Sequence, residues 1–345
     1  MESVTLDELD RRLIHALQLD GRMSFSRIAA VIGTPERTVV RRYNRLRSRF
    51  VLRVVGLVDS RRIGMLDWVV RVHCAPETAD ALAANLAQRG DTSWIAPLVG
   101  GTELTCMIRT PPPGDEGQRS IFEQLARTHG VRDVKAACVL RPIAGVGGWA
   151  GRMGALNEAE QVRLRVPALP EAPGDAACLA VTWNEADTRL VRALSEDARA
   201  DLGRLAAATG WSEATVRRRI GQLRESGVLA FEVEVDPALF GFRIESLMWL
   251  EVAPAAFGTV TEALSRHSSV AFAALTTGPS AVFAIVECRS ADALCEYLST
   301  ELADLPGITR VETALTQRRT KRAGPLLMPA MGARPGPGPN GAVAE

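Results

Sequence analysis

The amino-acid sequence predicts an α+β protein built from two similar halves. Residues 6–64 align without a gap with residues 183–241, and about two positions in five are identical. Each of these copies shows the 3.6-residue apolar period of amphipathic helices. The residues after each copy change to alternating strand-like runs separated by two helical segments. The chain is therefore predicted to repeat one order twice, a helical module followed by βαββαβ.

Composition and cysteine usage favour an ordinary globular protein. Of the 345 residues, 47% are hydrophobic and 23% are charged. The six cysteines form no C-x-x-C pair, so we expect reduced core residues and predict neither a metal site nor a disulfide. The first nine residues are acidic and contain no apolar segment, which predicts a cytoplasmic protein without a membrane partner.

The first copy predicts three helices. The first runs through Leu6–Leu17 and closes near Asp20, and the second begins after Ser24 as N-cap and stops at Gly33. The third covers residues 34–49, with Thr34 as the predicted cap and Pro35 at the first helical position. Its apolar face carries Val39, Tyr43 and Leu46, and its opposite face carries Thr38, Arg41, Arg42, Arg45 and Arg49.

Two helices joined by a tight glycine turn, the second with a basic face, are typical of the helix-turn-helix, whose latter helix enters the DNA major groove. A three-helix bundle with a solvated basic face is the alternative, but two copies with the same arginine placement favour double-stranded DNA as a partner. The residues predicted to contact DNA are Thr34, Glu36, Arg37, Thr38, Arg41, Arg42 and Arg45 in the first copy and Ser212, Thr215, Arg217, Arg218 and Arg219 in the second.

The two copies differ in charge. Residues 1–64 contain 13 arginines and 7 acidic residues, a net charge of +6, whereas residues 181–241 have a net charge of −2. We therefore expect the first module to dominate attraction to phosphate. An oligomeric sensor with a degenerate second DNA module therefore remains open as an alternative function.

The alternating runs predict four strands and two helices after each copy, which is the ferredoxin-like βαββαβ unit. Such a sheet has helices on one face only, so its other face needs a partner. We expect the two sheets to pair face to face within one chain as a pseudo-dimer, or between chains in a homo-oligomer. The predicted strands are 66–75, 92–99, 102–110 and 131–143 in the first half and 245–253, 269–277, 280–288 and 308–317 in the second; the predicted helices are 76–90, 118–129, 255–267 and 291–305.

The predicted fold class is thus α+β, with two winged-type helix-turn-helix domains and two ferredoxin-like domains for ligand sensing and dimerisation in tandem. The predicted boundaries are 1–64 and 181–241 for the helix-turn-helix domains, 65–143 and 242–322 for the ferredoxin-like domains, 144–180 for a linker, and 323–345 for a disordered tail rich in Gly and Pro.

These residues resemble two fused copies of a leucine-responsive/AsnC (Lrp/AsnC) family transcriptional regulator. The resemblance lies in Asp10-x-x-Leu13-Ile14-x-x-Leu17-x-x-Asp20-Gly21-Arg22, in Ile28-Ala29, in Gly33, in Thr38-Val39-x-Arg41-Arg42, in Leu46, and in the corresponding second-half residues. It implies DNA binding by the helix-turn-helix, and dimerisation and small-ligand sensing by the ferredoxin-like domain.

Two departures from the family pattern concern a helix exit and the sensor turns. Phe50 stands where the family has a helix-ending glycine, kept in the second copy as Gly227, so the first recognition helix is expected to end without a left-handed cap. The resemblance places an effector, an amino acid or another metabolite, near the turn between the second and third strands. The implied residues are Gly100, Gly101, Thr102 and Glu103 in one half and Thr277, Gly278 and Ser280 in the other.

In the second half, Pro279 removes a backbone donor and Ser280 supplies no charge for an ammonium group. We therefore expect at most one pocket competent for an amino acid, built around Glu103. A ligand that is not an amino acid, or turns that serve only as hairpin connections, remain open as alternatives.

An enzymatic alternative comes from siroheme decarboxylases, which are similar to this family and also occur as fused pairs. They need histidines and aromatic-basic clusters around a tetrapyrrole. The four histidines here (His15, His73, His129 and His267) lie outside the predicted second strands and hairpin turns. The sequence therefore predicts no catalytic residues, no cofactor and no enzyme.

Overall fold

The computed structural model describes residues 5–112, 121–145, 149, 154–164 and 182–323. The first half contains helices α1 (Glu8–Leu19), α2 (Phe25–Ile32), α3 (Glu36–Ser48), α4 (Pro76–Ala87) and α5 (Ile121–Ala126), and strands β1 (Leu52–Val58), β2 (Leu66–Cys74), β3 (Thr92–Pro97), β4 (Glu103–Thr110) and β5 (Val131–Ala144). Helix α6 (Glu158–Leu164) follows. The second half contains α7 (Glu185–Glu196), α8 (Leu202–Thr209), α9 (Glu213–Glu225), α10 (Phe257–Arg266) and α11 (Ala291–Ser299), and β6 (Leu229–Val235), β7 (Ile244–Val252), β8 (Val270–Thr276), β9 (Val282–Cys288) and β10 (Ile308–Leu315). The predicted α+β fold class is confirmed. Most of the predicted linker and the tail from residue 324 lie outside the described residues.

Side-chain caps set most of the helix starts. Asp7 and Asp10 form a reciprocal capping box at the start of α1, and Ser24 caps α2 as predicted. The prediction that Thr34 caps α3 is wrong, because the Thr34 N–H instead closes the end of α2 on the Ala29 carbonyl. Pro35 is the N-cap and gives no side-chain hydrogen bond, whereas Ser212 at the matching position caps α9 through the N–H of Thr215.

The exit of α3 also differs from expectation. Phe50 itself takes the left-handed conformation, with φ of 55°, as does Gly227 after α9, with φ of 68°. A non-glycine residue in this region costs about 1–3 kcal/mol. The same backbone turn thus ends both recognition helices, and the first copy carries a strained phenylalanine there.

Strands β1 and β6 were not predicted. Among the described residues they pair only with each other, antiparallel, so each needs the other half of the chain to become a strand. The register is centred on the Val55–Glu232 pair, and these residues are equivalent in the two copies. The ribbon therefore relates the two helical modules by an approximate two-fold axis.

The two helical modules share one hydrophobic core. It contains Leu17 and Val54 from the first copy, Leu194 and Phe231 from the second, and Leu164 of α6. At Gly21 a Cβ atom would lie 2.5 Å from Val54 Cγ1, so only glycine permits this approach.

The remaining strands form one eight-stranded sheet in the order β10-β7-β9-β8-β5-β2-β4-β3. Each half contributes a ferredoxin-like set of four, and the sets join where β5 pairs with β8. The residues after β10 bridge back to the other edge at Ile95–Lys321 and Leu98–Thr316, so the sheet closes on itself.

The inner faces of the two sheet halves pack against each other. Their apolar cluster includes Val69 and Val139 from the first half and Leu247, Phe283 and Ile285 from the second. Helices α4, α5, α10 and α11 cover the outer faces. Both faces of the sheet are thus buried within a single chain.

No helix in the described ranges is long and apolar enough to cross a membrane. Within these ranges, no cluster of three His, Cys, Asp or Glu side chains could hold a metal ion.

His15 ties α1 to the segment before α6. It is fully buried, and its Nδ1 accepts a hydrogen bond from the Leu156 N–H at 3.0 Å, while Nε2 has no partner among the described residues. Burial lowers the pKa of His15 to about 4, and the nearby charge of Glu160 only partly opposes this.

This histidine is expected to make stability depend on pH. The folded chain keeps His15 neutral while the unfolded chain protonates it near pH 6.5, so its contribution is complete above pH 6.5 and is lost as the pH falls toward 4. The loss is about 3 kcal/mol at 1.36 kcal/mol per pKa unit. Urea unfolding of the wild type and His15→Leu at pH 7.5, 6 and 5 measures the part of this loss that develops by pH 5, about 2 kcal/mol. The variant should be less stable at pH 7.5, with the difference shrinking as the pH falls.

The exposed His129 supplies the matched control. His129→Asn should keep the wild-type pH profile. A difference between wild type and His15→Leu that stays constant from pH 7.5 to 5 would contradict the prediction.

Candidate nucleic-acid interface

Helices α3 and α9 occupy equivalent places in the two modules, and each buries one apolar face. In α3 this face is formed by Val39, Tyr43 and Leu46, as predicted, and in α9 by Val216, Ile220 and Leu223. Phe25 of α2 packs on the Tyr43 ring with centroids 5.1 Å apart. The opposite faces of both helices are left to solvent.

The arginines of α3 fall into two groups. Arg37 and Arg41 are exposed and form no ion pair with any described residue. Arg42 pairs with Asp7 and, at 3.2 Å, with Asp10; Arg45 pairs with Asp10 at 2.5 Å. Asp10 is fully buried, so these two arginines fix α3 against the start of α1.

The charges at this contact reinforce each other. Burial would raise the pKa of Asp7, but the Asp10 N–H and the Arg42 guanidinium hold it below its ordinary value. The hydrogen bond to Asp7 in turn raises the pKa of Arg42. Both groups are therefore charged at neutral pH, and Arg42 is already hydrogen-bonded within the protein.

Helix α9 repeats this division. Arg219 makes two hydrogen bonds to Asp187, at 2.6 and 2.8 Å, and Asp187 is fully buried. Arg217 and Arg218 are exposed. Gln222 stands where the first copy has Arg45, so Asp187 pairs with one arginine and Asp10 with two.

Reciprocal arginine contacts join the two modules. The Arg22 guanidinium donates to the Ala198 carbonyl, and the equivalent Arg199 donates to the Gly21 carbonyl at 2.7 Å. Burial lowers the pKa of both arginines. Near the helix ends, Arg47 pairs with Asp197 at 2.7 Å, and the equivalent Arg224 pairs with Asp20 at 3.1 Å. Four matched contacts thus hold the two recognition helices in one fixed arrangement.

The predicted effector turns are also present. Gly100, Gly101 and Gly278 have positive φ angles, as hairpin turns require. Glu103 begins β4 and accepts from Arg71 Nε at 2.6 Å, and Arg71 also donates to Glu312 of the other half at 2.6 Å. Thr277 Oγ1 accepts from the Cys138 N–H, which ties the second turn to β5. Glu103 therefore already has a cationic partner on the neighbouring strand β2, and Arg71 links it to the other half of the chain.

Comparison with known proteins decides the family. The profile of the AsnC-type helix-turn-helix domain matches residues 6–47 and 184–224, and that of the Lrp/AsnC ligand binding domain matches residues 245–326. The chain belongs to the Lrp/AsnC family. Its two helix-turn-helix segments make it a duplicated member, with the domain content of a DNA-binding regulator.

Two relatives of this Lrp/AsnC chain each align with less than half of its length. The HTH-type transcriptional regulator LrpA of Pyrococcus horikoshii is 25% identical over 139 residues, 40% of this chain and 99% of that protein. The HTH-type transcriptional regulator LrpA1 of Halobacterium salinarum is 29% identical over 136 residues, 39% of this chain and 96% of that protein.

A solved structure shares the fold over nearly the whole length. The siroheme decarboxylase NirDL superposes with a TM-score of 0.60 at 14% identity, covering 92% of this chain and 93% of that one. At this identity the similarity concerns the fold of the duplicated Lrp/AsnC chain.

Two positions of the first recognition helix, the half-buried Val40 and the exposed Asn44, were not predicted from the sequence. Val40 and Asn44 line a shallow surface groove with Glu36, Arg37 and Arg41. The signal was available, because residues 36–37, 40–41 and 44 follow the helical period opposite Val39 and Tyr43. The sequence prediction instead included Arg42 and Arg45 because they are basic, but both side chains pair with Asp10.

Proposed function

We propose that the chain is a sequence-specific DNA-binding transcriptional regulator in which a single polypeptide supplies both halves of the dimer. The reciprocal pairing of the two helix-turn-helix modules is the observation that carries this proposal. It presents α3 and α9 from one rigid unit, as the two recognition helices of a dimeric helix-turn-helix protein require. The same proposal includes the domain boundaries predicted from the sequence, with helix-turn-helix domains at 1–64 and 181–241 and ferredoxin-like domains at 65–143 and 242–322.

In the first module, we assign DNA contact to the exposed Glu36, Arg37, Arg41 and Asn44, with Thr34 and Thr38 at the start of the helix. Arg37 and Arg41 are unpaired within the described chain. Each can bind guanine or phosphate through two N–H groups of its guanidinium. Arg42 and Arg45 act mainly by positioning the helix through Asp10.

In the second module, Arg217 and Arg218 take the reading role, Ser212 and Thr215 lie at the helix start, and Arg219 positions the helix. The two exposed surfaces differ, because Arg37 and Asn44 are matched by Ala214 and Gly221. The operator is therefore expected to have two unequal half-sites, an imperfect palindrome.

The ferredoxin-like halves are proposed to carry the regulatory input. An effector near Gly100, Gly101, Thr102 and Glu103, or near Thr277, Gly278 and Ser280, would lie where the paired sheets meet. Since Arg71 neutralises Glu103, an amino-acid ammonium group would have to compete with that contact. An effector that is not an amino acid fits this turn better.

Selection of bound genomic fragments with the purified full chain tests the proposed function. Enrichment of a defined, imperfectly palindromic site is the expected result. Uniform recovery of all fragments at physiological salt would contradict sequence-specific binding. Adding siroheme to the same protein addresses the enzymatic alternative, because a regulator should leave the visible absorption of siroheme unchanged.

A further inference from the structure

A large cleft separates the helix-turn-helix layer from the closed sheet. Its volume is about 1120 Å³. The C-terminal part of α3 and strand β1 form one wall, and the segment after β10, residues 316–322, forms another. The cleft is distinct from the sensor turns and adjoins the exposed groove of Arg37 and Arg41 at Asn44, which lines both. Its size is ample for a small organic molecule.

Phe50 is the unusual residue of this cleft. Its side chain is 54% exposed, it occupies the strained left-handed conformation, and its ring contacts no other aromatic or cationic group among the described residues. The other copy has the unstrained Gly227 at this position. Strain at an exposed aromatic residue that adds little to the core is typical of a functional position. Its ring offers a free face for stacking.

The polar groups of the cleft complete the recognition pattern. Arg243 and Arg322 line it and form no salt bridge with any described residue, although the charge of Arg322 acts on the nearby Glu245. On its walls the buried Thr320 Oγ1 has no hydrogen-bond partner within the described ranges, whereas the Glu245 carboxylate is held by Arg319 and Thr316. The cleft therefore combines an apolar ring surface, two guanidinium groups outside salt bridges and an unsatisfied hydroxyl group.

The charge balance excludes a nucleic-acid strand. Six carboxylate side chains share the described walls with seven cationic ones, so there is no strong positive field of the kind that binds a polyphosphate. A small ligand with one anionic group suits this balance better than a polyanion, because it needs only one cationic partner such as Arg243 or Arg322.

We propose that this cleft binds an aromatic carboxylate whose ring stacks on Phe50 and whose anionic group pairs with Arg243 or Arg322. The regulatory meaning of this site rests on the proposed function, because the cleft would then be a second effector site of the regulator. Asn44, Arg47 and Ser48 of α3 also line the cleft, so an occupant contacts the recognition helix directly.

Isothermal titration of the full chain without DNA tests the site. The aromatic probes are benzoate, 4-hydroxybenzoate, indole-3-carboxylate and 1-naphthoate; the matched probes are cyclohexanecarboxylate, which lacks the aromatic ring, and benzyl alcohol, which lacks the charge. At least one aromatic acid should bind with Kd below about 1 mM, and both matched probes about tenfold more weakly. Absence of binding by all four acids, or equal binding of cyclohexanecarboxylate, would overturn the proposal.

Two sets of variants locate the binding. Phe50→Gly should weaken the best aromatic acid about tenfold, while Phe50→Tyr preserves its affinity. Arg243→Met combined with Arg322→Met should weaken it by a similar factor, whereas Arg310→Met, at an exposed arginine outside the cleft, should not. Wild-type affinity in Phe50→Gly, or in the double arginine variant, would place the ligand elsewhere and reject the site.

Measurements of stability and DNA binding distinguish unfolding of a variant from loss of the ligand site, and failure of the ligand site from failure of the proposed function. Phe50→Gly relieves backbone strain, so its melting temperature should equal or exceed that of the wild type, which shows that lost binding does not come from unfolding. Because the titration contains no DNA, absence of a defined operator would reject the proposed function and leave the ligand site standing.

Discussion

Replacing Asp10 with Ala is expected to lower the free energy of unfolding of the helix-turn-helix layer by about 3 kcal/mol. Asp10 is fully buried, accepts from Arg42 and Arg45, and completes the capping box of α1. Removing one partner of a buried ion pair costs about 3–5 kcal/mol. The lower end applies, since Arg42 and Arg45 are 23% and 40% exposed and can be rehydrated. Urea unfolding followed by far-UV circular dichroism measures the loss.

Two further substitutions serve as comparison and control for Asp10. Asp187→Ala removes a carboxylate that pairs with one arginine only, so its cost should be smaller. Glu8→Ala, in the same first turn of α1 but exposed, should change stability by less than about 0.5 kcal/mol. Equal effects of Asp10→Ala and Glu8→Ala would show that the pairing with α3 contributes nothing to stability.

Replacing Arg37 and Arg41 together with Ala is expected to weaken operator binding by about 2–6 kcal/mol, at about 1–3 kcal/mol for each base-reading contact. Where a contact is to phosphate, the slope of log K against log salt should fall by about 1. Both side chains are exposed, so unfolding should remain that of the wild type. Fluorescence anisotropy with the selected operator, between 50 and 200 mM salt, gives both quantities.

The second module supplies the matched comparison for these arginines. Arg217→Ala with Arg218→Ala removes two exposed arginines from α9, whose module has a net charge of −2. Its effect on affinity should be smaller and confined to one half-site. If the double variant in α3 keeps wild-type affinity and salt slope, α3 is not the dominant recognition helix.

The two modules are thus alike in fold and unequal in chemistry. Their core residues and the Arg–Asp contact between the third and first helices repeat, whereas the exposed positions 37, 44 and 45 differ from their second-half equivalents. A fused pseudo-dimer permits this difference, because each half-site of the DNA can be read by its own helix. A homodimer must present two identical surfaces.

The sequence by itself determined the repeated architecture. Apolar spacing located the helices and ferredoxin-like strands to within about three residues, because the period of burial is set by local geometry; the exception is α11, which ends at Ser299 and not at the predicted residue 305. The buried face of α3, the Ser24 cap and the glycine break at Gly33 were also predicted correctly.

Only the tertiary structure decided which groups are available for binding. Arg41 and Arg42 are adjacent in sequence, yet Arg41 is exposed and Arg42 is held by Asp7 and Asp10, more than 30 positions away. Likewise, Arg71 pairs with Glu103 on the neighbouring strand of its own half, but it reaches Glu312 only when the two sheets close. Ion pairs between distant segments leave no periodic trace in the sequence.

The strands β1 and β6 and the cleft at Phe50 were likewise decided by tertiary structure. Each of these strands exists because its equivalent in the other copy provides the hydrogen bonds, and the cleft exists because the helical layer and the sheet are each closed by contacts between halves. Local sequence sets which segments are helices or strands, but the free energy that places one half against the other comes from contacts between residues far apart in the chain.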